Sequence, residues 1–323
     1  MFRSFESTCE YLQFPAEATE ALSFQYGKIK CDPSSSELLS KVYEEYRDGC
    51  LSRSLYEYQI SFEKICQEID VHSFQSQMIF YICLVPLLYD KYLEKGIPES
   101  IFKDSVADLR CKLFECHRLY GIWGSFVAVW FSRFFNFTLY GIGRLEFALY
   151  NADEDIRPEI KNRLTTSGSA QETLAASKCA IPYVIKKGDA LIDVHIPSRG
   201  RLPHEEVISS YKAAYDFWKN TLKIDAKGFI CESWMLFPKH EEIIPEAENL
   251  MSFYRDYDIY EKGYDDGDDL WRIFYVFANK DCLELLPRKT YLQKKYAEYL
   301  ENGGKSGWGK GVIPISRIIN EQI

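Results

Sequence analysis

The chain has 323 residues, of which 46% are hydrophobic, 27% charged and 15% aromatic, enough for two domains with a core each. Its formal net charge is −9 and neither half carries a basic excess, so composition excludes phosphate-backbone binding and nucleic acid is not an expected partner.

The first third has a helical period. Pro15-Ala16-Glu17-Ala18-Thr19-Glu20 opens one short helix, and Ser34-Ser35-Ser36-Glu37 opens another with capping and acidic first-turn residues. Leu38, Leu39, Val42, Tyr43 and Tyr46 recur at helical spacing. Further helices are expected over residues 52–69, 74–93 and 98–119, punctuated by Gly96, Pro98 and Gly121. The apolar run 78–89 contains Pro86 and is far shorter than the roughly twenty residues that span a bilayer, so it reads as a buried helix and no membrane partner is expected. Cys111, Cys116 and His117 cluster in sequence, but residues five apart on a helix lie about 140° apart and their sulfurs would not converge on a metal. The ten scattered cysteines include no Cys-x-x-Cys pair and read as the reduced thiols of a cytoplasmic protein without a secretory leader. Residues 123–135 form a very aromatic segment, expected as a helix packed between two domains. An all-helical domain of four to six helices over residues 1–136, with no catalytic constellation, is the reading of this third.

From residue 137 the period changes. Residues 137–149 read as a strand whose glycines allow a bulge or a close approach, and the polar stretch 151–177 as a loop with a short helix. Residues 181–185 and 190–196 read as a hairpin around Lys186-Lys187-Gly188-Asp189. In the second arm, Ile192, Val194 and Ile196 face one way and Leu191, Asp193 and His195 the other. Pro197 ends the ladder, Ser198-Arg199-Gly200-Arg201-Leu202 forms a short basic loop, and a helix opens at Pro203 with Val207, Tyr211, Ala214, Trp218 and Leu222 on its apolar face. A strand feeding a loop and a helix can direct backbone N–H groups and a positive helix end at a phosphate. A buried strand (229–237), a short helix (246–253), a hairpin (256–261 with 270–277) and a helix (289–301) follow, and the chain closes on a glycine-rich tail, 303–311. The acidic tip Asp265-Asp266-Gly267-Asp268-Asp269 lacks EF-hand spacing and reads as a solvated turn. Gly304-Lys305-Ser306 has Tyr299 where a P-loop needs its first glycine, which argues against a nucleotide site. No metal site is expected.

This order of elements resembles the core of GNAT-like acyl-coenzyme-A N-acyltransferases. The chain further resembles a two-domain bacterial family with a helical N-terminal domain and a GNAT-like C-terminal domain. The residues that carry the resemblance are Gly143-Arg144-Leu145-Glu146-Phe147, Val194-His195-Ile196-Pro197 with Gly200 and Leu202, and Cys231 with Ser233-Trp234-Met235-Leu236. Asn249 with Phe253, Leu286-Pro287 with Thr290, Leu292 and Gln293, and the glycines at 307, 309 and 311 complete it. The fold class implied is α+β: helical residues 1–136, then a mixed sheet flanked by helices over 137–323.

The resemblance implies a transfer of an acyl group from acetyl-coenzyme A or another acyl-coenzyme A to an amine on a small molecule or peptide. Ser198, Arg199, Gly200, Arg201 and Leu202 would cradle the cofactor's pyrophosphate, beside a sheet that opens between strands 190–196 and 229–237. The loop departs from the usual pattern: counting from Arg199, its third and fifth following positions hold Leu202 and His204. Pro203 also lacks an N–H, and Glu205 and Glu206 place negative charge in the first helical turn. Acyl transfer needs a group to hold the carbonyl oxygen, a base for the ammonium and an acid for the leaving thiolate. Asp193 and His195 share a strand face, and either could act as base, directly or through water; the alternative is a His–Asp hydrogen bond that ties the strand to a helix. Glu146 and Glu232 are the other carboxylates in apolar strands. By the resemblance, Tyr254 is the expected acid, with Tyr257 as substitute. A non-catalytic member, kept as a ligand-binding or protein-interaction module, is the competing reading.

Overall fold

The computed structural model describes residues 2–157, 183–267, 269–277 and 282–320. The chain divides into two compact units, residues 1–142 and 143–323, and its architecture is α+β as the change of period requires.

The described residues of the first unit form seven helices and a short strand. The helices are α1 (Phe5–Tyr11), α2 (Ala16–Cys31), α3 (Pro33–Asp48), α4 (Leu55–Glu68), α5 (Ser73–Glu94), α6 (Glu99–Tyr120) and α7 (Ala128–Phe135). Side-chain caps set several starts: Ser4 for α1, Asp32 for α3, and Ser54 with Glu57 as a capping box for α4. The apolar run expected to be a buried helix is the middle of α5. Met78, Ile79, Phe80, Tyr81, Ile82, Leu84 and Val85 are all buried there, because α1, α2, α3, α4, α6 and α7 all pack around α5. Among the described residues no helix is long and apolar enough to cross a membrane.

The aromatic segment is only partly helical. Gly124 is pressed against Phe74, whose carbonyl carbon would lie 2.6 Å from a Cβ there, and Ser125 N–H donates to the Phe74 carbonyl at 2.8 Å. These contacts hold residues 123–127 out of the helix, so α7 starts only at Ala128. Trp123 instead stacks on His117 with ring centroids 3.6 Å apart. Strand β1 (Leu139–Ile142) lies on α6, where Gly141 N–H donates to Ser105 Oγ at 2.8 Å.

In the second unit the strands are β2 (Leu145–Asn151), β3 (Ala190–His195), β4 (Gly228–Ser233), β5 (Asp258–Tyr264) and β6 (Gly307–Pro314), ordered β2-β3-β4-β6-β5. The helices are α8 (His204–Asp216), continued by a π-helical turn (Phe217–Thr221), then α9 (His240–Ile243), α10 (Glu248–Asp256), α11 (Leu270–Phe274), α12 (Tyr291–Glu301) and α13 (Ile315–Ile319). On one sheet face Phe147 and Phe229 meet Tyr211 of α8, and Phe147 also meets Trp218 of the π turn. On the other, Leu191, Ile230 and Val312 pack with Ala152, Ile156 and Ile185.

Four expectations are corrected. The glycine-rich tail is β6, a strand between β4 and β5. Its glycines serve contact rather than flexibility. A Cβ at Gly311 would lie 2.9 Å from Tyr257 Cβ, one at Gly307 would lie 2.6 Å from the Phe237 ring, and one at Gly309 would overlap the Leu236 carbonyl oxygen. The partner of β5 is therefore β6, and residues 270–274 are helical rather than the second arm of a hairpin. Strand β3 takes β2 as its antiparallel partner, from Glu146↔His195 to Asn151↔Ala190, while Ile185 bridges Ile156. The strand 229–237 ends at Ser233, whose side chain caps a 3₁₀ turn, Trp234–Leu236. The loop and helix expected over 151–177 lie mostly outside the described residues.

Candidate active site

Strand β3 carries the first pair. Asp193 and His195 leave the same face of the strand, and Nε2 of His195 is 2.9 Å from Asp193 Oδ2. Both side chains are about one-quarter exposed (26% and 25%), so the pair is ordered yet reachable from solvent. The bond stays within one strand, instead of tying the strand to a helix. Toward β4 the parallel pairing consists of Ile192↔Phe229 and Asp193↔Ile230. Beyond that point the two strands keep only their outer partners: Val194 and His195 stay with β2, and residues 231–233 stay with β6. Among the described residues the sheet is thus split immediately after Asp193, and His195 stands beside the split.

Pro197 then turns the chain into the basic loop, which is held from below by Arg144. Gly143, at φ +62°, makes the tight turn into β2, and Ser210 Oγ of α8 accepts the Arg144 N–H at 2.8 Å. The Arg144 side chain is 7% exposed. Its guanidinium donates to three loop carbonyls: Nη1 to Pro197 at 2.8 Å, Nε to Arg201 at 2.9 Å and Nη2 to Gly200 at 3.2 Å. Gly200 takes φ +81°, and a Cβ there would meet no atom within 4 Å. Ser198, Gly200 and Arg201 are exposed, while Leu202 is buried and anchors the loop.

The two loop arginines differ. Arg201 faces solvent, whereas the Arg199 side chain is 16% exposed. Nη2 of Arg199 lies 3.7 Å from Oε1 of the buried Glu146, and its Nη1 donates to the Gly143 carbonyl at 3.2 Å. Glu146, entertained as a base from sequence, thus serves as the counter-charge for Arg199. Glu232 is largely exposed and lies 3.8 Å from Lys310 across the sheet.

Helix α8 begins at His204, with Pro203 as its N-cap rather than its first residue, and no side chain caps it. Its first residue is tied down: Nε2 of His204 is 2.9 and 3.0 Å from the two carboxylate oxygens of the buried Asp256, at the end of α10. Arg317 of α13 donates to the Asp256 carbonyl at 2.9 Å. Tyr254, also on α10, is 3% exposed. The structure brings Asp193 and His195 together and holds the loop after them through Arg144. Tyr257 is committed to the core: its hydroxyl is 2.9 Å from that of Tyr211, and burial pushes both phenols far above their ordinary range. Among the described residues no group of three or more potential ligands gathers to hold a metal.

Two features escaped the sequence reading. The loop-holding role of Arg144 is one, a residue that the sequence offered only as part of the Gly143-Arg144-Leu145-Glu146-Phe147 motif, and the pairing of His204 with Asp256, which joins residues 52 apart, is the other. The first had a readable sign, its place in that motif just after the glycine that turns into the strand. The second had none.

A model of the family described as the GNAT-like C-terminal domain matches residues 139–313, and a model of the N-acyltransferase N-terminal domain matches residues 3–137. No curated protein sequence matches the chain. Among solved structures, an acyltransferase in complex with CoA and 10C-teicoplanin is similar with TM-score 0.68 and 17% identity, over 97% of this chain and 88% of that one. An acyltransferase in complex with decanoyl-CoA and teicoplanin gives 0.66 and 19%, over 95% and 86%. A variant acyltransferase in complex with octanoyl-CoA gives 0.67 and 18%, over the same shares.

Proposed function

The chain belongs to the family with a GNAT-like C-terminal domain, and from that premise we propose that it transfers an acyl group from acyl-coenzyme A to an amine of a small molecule or peptide. The observation that carries this reading is the split in the sheet: parallel pairing of β3 with β4 ends at Asp193/Ile230, beside the basic loop that Arg144 holds from below. A thioester arm laid in the split would meet unpaired strand edge, and its pyrophosphate would reach residues 198–202 and the uncapped start of α8. Arg201 supplies the solvent-facing positive charge, with Arg199 behind it. Solved relatives bound to CoA, octanoyl-CoA and decanoyl-CoA support an acyl donor of this class, and two bound to teicoplanin or its 10C form support a large amine-bearing acceptor. The described cysteines are free thiols, which suits the reducing cytoplasm.

In the reaction the amine nitrogen attacks the thioester carbon, the C–S bond breaks, and the proton lost by the amine must leave while the thiolate gains one. In this reading His195, bonded to Asp193 at 2.9 Å, takes the amine's proton directly or through water. Tyr254 is the assigned proton source for the thiolate; since it is buried, donor binding has to open a path to its hydroxyl.

The test is binding followed by turnover. Acetyl-, octanoyl- and decanoyl-CoA at one hundred times their Kd should each stabilise the fold by about 2.7 kcal/mol, and thiol release should follow addition of an amine. A melting temperature unmoved by millimolar levels of all three would sink the acyltransferase reading in favour of a non-catalytic module.

A further inference from the structure

We propose that Arg144 is a positioning residue for coenzyme A: it pulls three loop carbonyls inward and thereby turns the N–H groups of Ser198, Arg201 and Leu202 outward to receive the pyrophosphate. The inference rests on the acyl-coenzyme-A reading above and adds a residue to it. In a planar trans peptide the C=O and the following N–H point in opposite directions. The carbonyls of Pro197, Gly200 and Arg201 all converge on one guanidinium, at 2.8, 3.2 and 2.9 Å. The N–H groups of residues 198, 201 and 202 must therefore diverge from it. None of these three amides makes a hydrogen bond among the described residues, whereas Arg199 N–H is already spent on the Pro197 carbonyl at 2.8 Å. Three such amides on the outer side of a tight loop can each donate to a different oxygen of a pyrophosphate, beside the solvent-facing charge of Arg201.

The planar fork of an arginine is what the arrangement needs. Nε and both terminal nitrogens each serve a different carbonyl, a set that a lysine ammonium cannot reproduce. The guanidinium is itself fixed. Its backbone N–H is bonded to Ser210 Oγ, and the Gly143 turn before it leaves no room for a Cβ, which would lie 2.6 Å from that same oxygen. Because Arg144 is buried beneath the loop, its charge acts through the loop's geometry and not by touching the phosphate. The outward charge is left to Arg201.

The full chain and its Arg144→Lys variant are titrated with acetyl-CoA and with S-acetylpantetheine, which lacks the pyrophosphate. The expected result is a Kd for acetyl-CoA weakened roughly 30-fold or more in the variant, with the Kd for S-acetylpantetheine unchanged. A residue of merely structural importance would weaken both alike, and that outcome overturns the proposal, as does wild-type affinity for acetyl-CoA in the variant. If the wild-type chain binds neither probe, the acyl-CoA reading itself fails and the proposal falls with it. Should Arg144→Lys not fold, the wild-type chain decides alone. In amide-resolved NMR, signals of Ser198, Arg201 and Leu202 should move on adding acetyl-CoA and stay with S-acetylpantetheine. Unmoved amides in a chain that binds acetyl-CoA refute it.

Discussion

Asp193 and His195 lie two positions apart on one strand and are bonded to each other there, Nε2 to Oδ2 at 2.9 Å. Each is about one-quarter exposed and the pair stands at the split of the sheet, which is where the proposed proton transfer needs it. Replacing His195 with Ala should lower kcat by about 10²–10⁴-fold and leave the acyl-CoA-induced rise in Tm intact. Asp193→Asn should give a smaller loss, since the imidazole survives without its anionic partner. Turnover equal to wild type in both would remove the pair from the mechanism. The reverse case is Lys112 on α6, which lies 3.1 Å from Glu115 and 4.0 Å from Asp108, all three buried. The ammonium there faces both carboxylates out of water. Lys112→Met should therefore cost about 3–5 kcal/mol in urea unfolding. Adding Asp108→Leu and Glu115→Leu should recover most of that loss; a single variant as stable as wild type would show that the cluster does not need its cation.

At the scale of elements, the C-terminal strand β6 shows how composition can mislead. Glycines at 307, 309 and 311 resemble a flexible tail, yet they form one face of a strand on which Leu236, Phe237 and Tyr257 rest. Gly309→Ala would drive a methyl group into the Leu236 carbonyl and should destabilise the fold by about 1–3 kcal/mol. Lys310→Ala, on the opposite face with Glu232 at 3.8 Å and the Tyr150 ring centroid 5.8 Å from its ammonium, should cost less than about 1 kcal/mol. Equal effects, measured by denaturant midpoints, would mean that the glycine face is not a packing surface. Elements governed by local rules were legible before folding. The helices α2 to α6 follow from periodicity, caps and punctuating Gly and Pro, and the basic loop follows from Pro197 and Gly200. Which strand pairs with which was not legible, because β6 is inserted between β4 and β5 and nothing in the residues near β5 announces a partner some fifty positions away. The same holds for the site. Asp193 and His195 are two apart and were found by period, while Arg144 reaches a loop 53 to 57 positions later and is seen only once the chain is folded.

For the whole molecule, the acidic side of neutrality is where stability should fail, and one buried group gives the effect a measurable part. His240 opens α9 and is fully buried, with Nε2 3.0 Å from the hydroxyl of Tyr296 on α12. Trp234, Phe237 and Tyr296 surround the ring edge-on. Burial without a carboxylate partner disfavours the imidazolium and lowers its pKa to about 4, against about 6.5 in an unfolded chain. The unfolded state therefore binds the proton first. Above about pH 6.5 the neutral ring costs nothing, and as pH falls from there toward 4 the unfolded state gains on the folded one, by an amount on the order of 3 kcal/mol at the lower end. Substituting His240 with Gln, which keeps a donor for the Tyr296 hydroxyl and does not titrate, should lower stability somewhat at pH 7 and flatten its dependence between pH 6.5 and 4. Urea midpoints for both chains across that range provide the check. If the two curves run parallel through the window, His240 is already protonated or solvated in the fold, and the acid sensitivity belongs to other groups.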